Sequence, residues 1–336
     1  MNRVDSRAVA AMAGVSQSTV SKALNGRPDS RISEQTRQKV LKAAQELNYA
    51  PNVIARALVT GKTQRIGVVV NTPASLTNLA GYHLGILSGT LYGAVANNYN
   101  LLLHSSQYPH WYALYDDIRG GSADGVLIVG DYHDKELEEA LVADEFPTVF
   151  VSHHPKGERV FSVDCDNVQG GYIAAKHLID LGRRRMVFLS ESMMSWEEER
   201  RQGVENAVRE AQIAGSEIVF SAHIVANGAE ACHEILAQLP ECGVVTATEA
   251  LGLELAEALT TQGRQIPQEV SIVSFNSTEA SANAPIPMTS VYQPLCEIGF
   301  TALNLLVSLL KGQNIAPGVR RVSVRLDVRE SCGAKK

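Results

Sequence analysis

Between Gly14 and Lys22 the chain reads Gly-Val-Ser-Gln-Ser-Thr-Val-Ser-Lys, a run dense in side chains that both give and accept hydrogen bonds. The Gln17 amide can pair with the N6 and N7 edge of adenine, and the Ser18 hydroxyl can meet several base edges with less discrimination. Thr19, Ser21, Lys22 and Asn25 are of the types that touch phosphates and fix orientation. The chemistry implied is the reading of base edges by the first turn of a helix. Its scaffold is legible too. Gly14 tolerates a turn conformation that other residues resist. Val15 can plug a small core, Ser16 can cap the helix, and Val20 and Leu24, four apart, share an inward face.

The charge distribution agrees with that chemistry. Residues 1–65 hold 11 Lys and Arg against 4 Asp and Glu, a net of +7, while the rest of the chain holds 19 against 32, a net of −13. A basic head on an acidic body directs only the head toward a polyanion.

Other chemistries do not assemble. The five cysteines, Cys165, Cys232, Cys242, Cys296 and Cys332, show neither metal-site nor redox spacing. His153 and His154 are adjacent, so on an extended chain they point to opposite faces and make a poor chelate. Asp164 and Asp166 could share a face, but no ligand set of metal-site spacing surrounds them. No nucleophile elbow and no phosphate-cradling glycine loop is present. The glycine pairs 120–121 and 170–171 read as turns. Neither an enzyme nor a metal or cofactor protein is expected. No apolar run approaches the roughly 20 residues that span a bilayer, and the N-terminus lacks the features of a secretory signal. A soluble, cytoplasmic chain is expected.

The elements that must position these residues follow from periodicity. A first helix begins near Asp5 or Ser6, ends before Gly14 and carries Ala8, Val9 and Met12 as its apolar stripe. A second spans about 17–24 and stops at Asn25-Gly26. A third, capped by Ser33, runs to about Asn48 with Val40, Ala44 and Leu47 inward. Pro51-Asn52 breaks the chain ahead of a short helical segment, Val53 to Val59. At about two turns that segment is too short to be stable alone. Beyond Ile66 buried-type strands recur at Ile66–Val70, Leu101–His104, Val126–Val129, Val149–Val151, Val187–Leu189, Ile218–Phe220, Val244–Thr246 and Ile272–Phe275. Helical patterns at 83–97, 168–181, 198–211 and 250–262 alternate with them. Such alternation predicts parallel sheets covered on both faces. The number of units favours two similar lobes over a single sheet, with ligands bound beyond the carboxyl ends of the strands.

Taken in order, these features resemble the lactose-repressor (LacI) family of bacterial transcription regulators. The resemblance is carried by Gly14-Val15-Ser16-x-x-Thr19-Val20-Ser21, Leu47-Asn48-Tyr49-x-Pro51-Asn52, Ala55-Arg56-x-Leu58, and the linker Lys62-Thr63-x-x-Ile66-Gly67. It continues with Asp166-Asn167, His177-Leu178-Ile179-x-Leu181-Gly182, Arg200-x-x-Gly203 and Arg325-x-x-x-Arg329-x-Ser331. It spans about residues 5–330. It implies a helix-turn-helix DNA-binding domain at 1–50, a hinge helix and linker at 51–63, and an α/β two-lobed core at 64–330 of the periplasmic-binding-protein type. One lobe is expected from about 64–161 plus 291–320, the other from about 162–290 plus 321–330.

The resemblance also implies a homodimer on double-stranded, pseudo-palindromic operator DNA, repressing a catabolic or transport operon. Affinity is modulated by a small molecule between the lobes. Leu58 occupies the place of the family's minor-groove wedge, and Arg56 stands beside it. The candidate DNA contacts are therefore Ser16, Gln17, Ser18, Thr19, Ser21, Lys22, Asn25, Arg56 and Leu58. The candidate ligand contacts are Ser152, His153, Trp196, Arg200, Thr246 and Asn276, of which Arg200 matches the family's usual effector-binding arginine. Tyr82, His83 and Trp111 could also line the cleft or could be ordinary packing. The chain departs from the pattern of sugar-binding members. Thr246 and Ala247 stand where these carry Asn-Asp, and Asn276-Ser277 where they carry Asp-Asp. Losing those acidic acceptors removes groups that grip a sugar's hydroxyls; the effector is expected to be a sugar or a metabolite bearing a carboxylate or phosphate, the latter suited to Arg200 and Asn276, with no effector at all as the alternative. A solute-binding protein or enzyme on the same core is the remaining alternative. No heptad repeat follows Glu330, which favours a dimer over a coiled-coil-tethered tetramer.

Overall fold

A computed structural model of the chain describes residues 4–24, 32–52, 57, 60–70, 81–104, 110–130, 135–155, 157–192, 194–235, 237, 239 and 241–334. The chain divides into two compact units, residues 1–64 and 65–336.

The first unit is a three-helix bundle. Helix α1 (Ser6–Ala13) is capped by Asp5, whose carboxylate accepts from the backbone N–H groups of Arg7 and Ala8, and it ends at Gly14 with φ of 65°. Helix α2 (Gln17–Leu24) follows after the three-residue turn Gly14-Val15-Ser16. Helix α3 (Glu34–Glu46) is capped by Ser33. Their shared core is Val9, Ala10, Val20, Ala23, Val40, Ala43 and Ala44, with Val15, Leu24 and Leu47 packed at its edge. The inward stripe of α1 differs from the sequence expectation. Ala8 is exposed and Met12 is 49% exposed. Val9 and Ala13, four apart, set the inward face together with Ala10, and the larger Met12 points to solvent because a 3.6-residue period rotates it out. The segment expected to form the hinge helix falls largely outside the described residues, and Asn25, Arg56 and Leu58 lie outside them.

The second unit carries two six-stranded sheets. The first sheet orders as β11-β5-β4-β3-β1-β2, with β1 Arg65–Val70, β2 Asn100–His104, β3 Gly125–Val129, β4 Thr148–Val151, β5 Phe161–Cys165 and β11 Gly318–Val322, all neighbours parallel. The second orders as β12-β10-β9-β8-β6-β7, with β6 Arg185–Ser190, β7 Val219–Ile224, β8 Cys242–Thr246, β9 Val270–Asn276, β10 Thr289–Tyr292 and β12 Arg325–Asp327. Its neighbours are parallel except for the antiparallel β10–β12 pair.

The central strands of each sheet are buried on both faces, alternate residues facing opposite layers, while the edge strands β2, β7, β11 and β12 are part-exposed. In β1, Ile66 and Val68 pack with α4 (Gly81–Asn97) and α10 (Leu295–Leu310). Val69 joins the layer of α5 (Trp111–Asp117) and α6 (Lys135–Ala143). In the second sheet, Val245, Val273 and Phe275 face α7 (Asn167–Asp180) and α8 (Ser195–Ile213). Val244 and Ile272 face α9 (Glu249–Thr261).

Three crossovers join the lobes: Cys165 to Asn167, Tyr292 to Leu295, and Val322 to Arg325. They lie a few residues from the boundaries expected from sequence. Strand β5 at 161–165 pairs in the first sheet, β10 at 289–292 pairs in the second, and β11 extends to Val322. Polar Ser162, Asp164 and the arginines of β11 obscure the strand pattern there. The final segment is sewn into the second lobe. Ser331 accepts from the Ile272 N–H through its carbonyl, donates from its hydroxyl to the Ile272 carbonyl, and accepts from the Thr289 N–H.

One close contact governs the second lobe. Helices α7 and α8 touch backbone to backbone: a Cβ at Gly171 would lie 1.9 Å from the Arg200 carbonyl oxygen, and one at Gly203 would lie 2.0 Å from that of Val168. Gly171, against α8, and Gly170, against Phe275 and Val291 of the second sheet, thus lie inside α7 as packing positions rather than at the turn expected, whereas Gly121, with φ of 88°, does sit at a bend. Overpacking of this kind costs about 1–3 kcal/mol or more. Gly171→Ala should therefore lower the urea midpoint, and Gly120→Ala, whose added Cβ meets nothing within 4 Å, should leave it unchanged. Equal midpoints for the two variants would refute the packing argument.

Candidate functional site

On α2 the Ser16 hydroxyl accepts from the Thr19 N–H at 3.1 Å and lies 2.9 Å from the Thr19 hydroxyl, which caps the helix and ties the two side chains together. Val20 and Ala23 turn into the core, leaving Gln17, Ser18, Ser21 and Lys22 exposed on one face at positions i, i+1, i+4 and i+5. Arg37 of α3 donates to the Ala23 carbonyl at 3.2 Å, holding the last turn of α2. A polar, donor-rich face is thus presented on a rigid helix. The orphan backbone N–H groups of its first turn add partial positive charge.

In the body, the carboxyl ends of both sheets face the lobe boundary, where the chain crosses from β5 into α7 and from β10 into α10. Three non-glycine residues with positive φ lie at these ends: Ser152 at 57° after β4, and Asn276 at 81° and Ser277 at 54° after β9. Such strained residues gather at binding sites when their surroundings over-determine them. The lobes approach closely at the start of α4, where a Cβ on Gly81 would lie 3.0 Å from the Thr278 methyl.

Arg200 is the hub. It is 5% exposed, and its guanidinium lies 4.0 Å from the ring centroid of Phe275 and 4.6 Å from that of Trp196. A buried cation needs partners for its donors. Nε donates to Asn167 Oδ1 at 2.9 Å and Nη1 to the Ala247 carbonyl at 2.5 Å. Asn167 is fully buried and donates through Nδ2 to Asp164 at 2.8 Å and to Glu199 at 3.3 Å. Glu199 is gripped by both terminal nitrogens of Arg321, which also donates to the Cys165 carbonyl at 3.2 Å. The polar network continues across the second crossover. Gln293 lies within reach of the Cys165 thiol at 3.1 Å and donates to Asn276 Oδ1 at 2.5 Å.

Burial pushes the Asp164 carboxyl upward, but the hydrogen bond and charge of His154, with the charge of Arg200, hold it below the usual carboxylate range. Burial, reinforced by Asp164, pushes the Cys165 thiol and the Tyr82 phenol up, so both stay protonated at neutral pH. His154, Asp164 and Glu199 each offer one ligand atom within 4.8 Å of the others. The guanidinium of Arg321 already supplies the cation there.

The sequence candidates distribute unevenly. Trp196, Arg200 and the carbonyl next to Thr246 meet directly, and Asn276 joins through Gln293, Cys165 and Asn167. The Thr246 side chain is fully buried and donates to the Thr248 carbonyl at 2.9 Å, so it shapes the turn. His153 turns to Glu138 of α6 at 2.7 Å, on the far layer of the first lobe, and does not reach Arg200. Adjacent residues point opposite ways, so its neighbour His154 faces Asp164 instead. Trp111 packs in the α5–α6 layer. Tyr82, half-buried against the core of the first lobe, feels the charges of both Asp164 and Arg200. Asn167, Phe275 and Gln293 join the site without any spacing in the sequence that marks them as site residues. Only Asn167 carried a signal, in the Asp166-Asn167 motif. Among the described residues no helix is long and apolar enough to cross a membrane.

Residues 7–52 match the family model of bacterial regulatory proteins, lacI family, and residues 175–332 match a periplasmic binding protein-like domain. The HTH-type transcriptional regulator CelR of Thermobifida fusca is 31% identical over 332 residues, 96% of each chain. Catabolite control protein A of Priestia megaterium is 26% identical over 333 residues, covering 96% of this chain and 97% of the relative. A solved CelR–cellobiose complex matches with a TM-score of 0.71 at 30% identity, over 98% of this chain and 100% of that one. The lac repressor dimer bound to operator and the anti-inducer ONPF matches in fold with a TM-score of 0.80 at 22% identity, over 99% and 100% of the chains. The three-helix head, the two parallel-sheet lobes and likeness along nearly the full length converge: the chain belongs to the lacI family of bacterial regulatory proteins.

Proposed function

We propose that this chain is a cytoplasmic transcriptional repressor that binds a pseudo-palindromic operator as a homodimer and whose affinity answers to a small molecule held between its lobes. The observation that carries the DNA reading is the exposed face of Gln17, Ser18, Ser21 and Lys22 on a capped helix within a head of net charge +7. Gln17 reads a base edge, while Lys22 neutralises a phosphate. Selection from random DNA should return an imperfect palindrome. Gln17→Ala should then cost about 1–3 kcal/mol at one base position and relax specificity there. Lys22→Ala should weaken all sequences alike and reduce the salt slope by about 1. Recovery of no palindrome would overturn the reading.

The homodimer is supported by an apolar face on α4 that is exposed among the described residues. Leu84, Leu91, Tyr92 and Val95 share one side of the helix and are 47%, 50%, 68% and 77% exposed. Contiguous exposed patches of this kind mark interaction surfaces. Val95→Asp should give a monomer in sedimentation equilibrium and remove tight operator binding. A dimer that survives this change would place the interface elsewhere.

The effector reading rests on Arg200, buried between Trp196 and Phe275 at the lobe boundary. The related CelR, solved with cellobiose, makes sugars the first compounds to test here, followed by carboxylate- and phosphate-bearing metabolites. A ligand at 100 times its Kd should stabilise the protein by about 2.7 kcal/mol, visible as a thermal shift. Arg200→Lys should abolish the shift and retain operator binding. The rival reading, a regulator with no effector, is favoured by Arg200 being engaged with Asn167 and Ala247 and by the absence of acids at Thr246 and Ala247. A reproducible shift that changes operator affinity would exclude it.

A further inference from the structure

Arg321 and Glu199 come from different lobes. Arg321 stands on β11, paired with Asp164 of β5 in the first sheet, and Glu199 stands on α8 in the second lobe. The guanidinium meets the carboxylate with both terminal nitrogens, Nη1 at 2.8 Å and Nη2 at 2.5 Å. This two-pronged geometry is the strong form of an ion pair. Each group is also steadied within its own lobe. Arg321 Nη1 donates to the carbonyl of Cys165, the last residue of β5, at 3.2 Å, and Glu199 accepts from the Asn167 amide of α7 at 3.3 Å. Two halves oriented in advance lose less side-chain freedom when they meet.

The other polar links described across the boundary differ in kind. Asp164 and Asn167 flank the first crossover, and Gln293, which reaches Cys165 and Asn276, lies in the second. The chain itself keeps those groups close at any lobe angle. Arg321 and Glu199 are 122 residues apart, and Glu199 lies on no crossover. Glu199 moves with the second lobe, because α7 and α8 touch backbone to backbone, and Arg321 moves with the first, because β11 is paired with β5 along its length. Their contact therefore exists only while the lobes meet as they do here. When the lobes part, Arg321 keeps a carboxylate in its own sheet, Asp164 Oδ2 at 3.8 Å, whereas Glu199 loses its cation. The two side chains are 32% and 22% exposed, so water reaches both and parting leaves no dry charge. The two arrangements then differ by a modest free energy, as a switchable contact requires.

We propose that the Arg321–Glu199 pair is an interlobe clasp, whose closing sets how often the ligand-free lobes adopt the arrangement seen here. Glu199 precedes Arg200 on α8, so the clasp and the guanidinium held between Trp196 and Phe275 ride on one helix. A molecule that favours or resists this lobe arrangement works with or against the clasp, and by linkage the clasp changes the affinity for that molecule. This consequence rests on the effector reading of Arg200; the clasp itself does not.

The test uses the full-length protein without added ligand and reads the lobe arrangement through a crosslink. A Cβ at Gly81 of the first lobe would lie 3.4 Å from that of Thr278 in the second, close to the roughly 3.5–4.5 Å that a disulfide spans. Gly81→Cys with Thr278→Cys, on a Cys296→Ser background that removes the exposed thiol, should form an intrachain disulfide in a glutathione buffer, read by mobility on a non-reducing gel. Adding Arg321→Gln should lower the crosslinking equilibrium constant by about fivefold, the upper range for a partly exposed ion pair, and Glu199→Gln should do the same. The variant carrying both should fall no further than either alone. Raising salt from about 0.05 to 1 M should bring the intact pair down toward the variants and leave Glu199→Gln flat. If Arg321→Gln loses the native far-UV spectrum, Glu199→Gln and the salt series decide. Crosslinking unchanged by Glu199→Gln overturns the proposal, as do losses that add in the double variant. Failure of every compound to shift the melting temperature would strike the effector reading and leave this clasp standing.

Discussion

Burying the Arg200 guanidinium at the meeting point of two lobes is the constraint on which the rest of the body turns. A charge taken out of water is tolerated only where its donors are met and its field is answered. Every nearby feature serves that need. Two glycines let α7 and α8 touch backbone to backbone, which brings Asn167 within reach of Arg200. Trp196 and Phe275 cover the guanidinium from α8 and β9. Asp164 supplies the answering charge from the other lobe. Because these partners come from both sheets, the environment of Arg200 depends on how the lobes meet. A buried charge with partners on both sides of a boundary couples occupancy of a cleft to its geometry.

The head is organised by a different economy. Its core is a handful of small aliphatic side chains, and much of its definition comes from caps: Asp5, Ser16 and Ser33 each satisfy backbone donors at a helix start. Short helices with fixed ends hold a few polar side chains in register with little bulk behind them.

Much of this was legible in the residues, and the losses have physical causes. The helix starts at Asp5, Ser16 and Ser33 and the turn at Gly14 were readable because capping and left-handed turns admit few residue types. Six of the eight expected strands stood out because they are central and buried on both faces, while β2 and β7 are part-exposed edge strands that were apolar enough to be read all the same. The strands at 161–165, 289–292 and 318–322 did not, because each carries polar residues that serve the hinge and so break the apolar run. Gly170-Gly171 reads as a turn in the sequence but lies inside α7, since local sequence cannot tell a glycine needed for φ from one needed for space. Arg200 and Trp196 were found four apart on one helix. Phe275, Asn167 and Gln293 reach the same point from separate elements, a proximity that sequence spacing does not encode. Of the adjacent pair, His154 and not His153 faces the lobe boundary, a difference the sequence does not carry.

The order in which the strands are used has a consequence for the chain as it is made. The first sheet is finished by β11, and its main covering helix is α10, both from the last fifth of the sequence; the second sheet takes β10, β12 and the Ser331 clasp from the same stretch. Neither lobe can complete its core until synthesis is nearly over, whereas the head is whole after about fifty residues have emerged. A growing chain therefore carries a finished DNA-reading module ahead of an open, apolar body, and the period between the two events is when association with other nascent chains is most open to it.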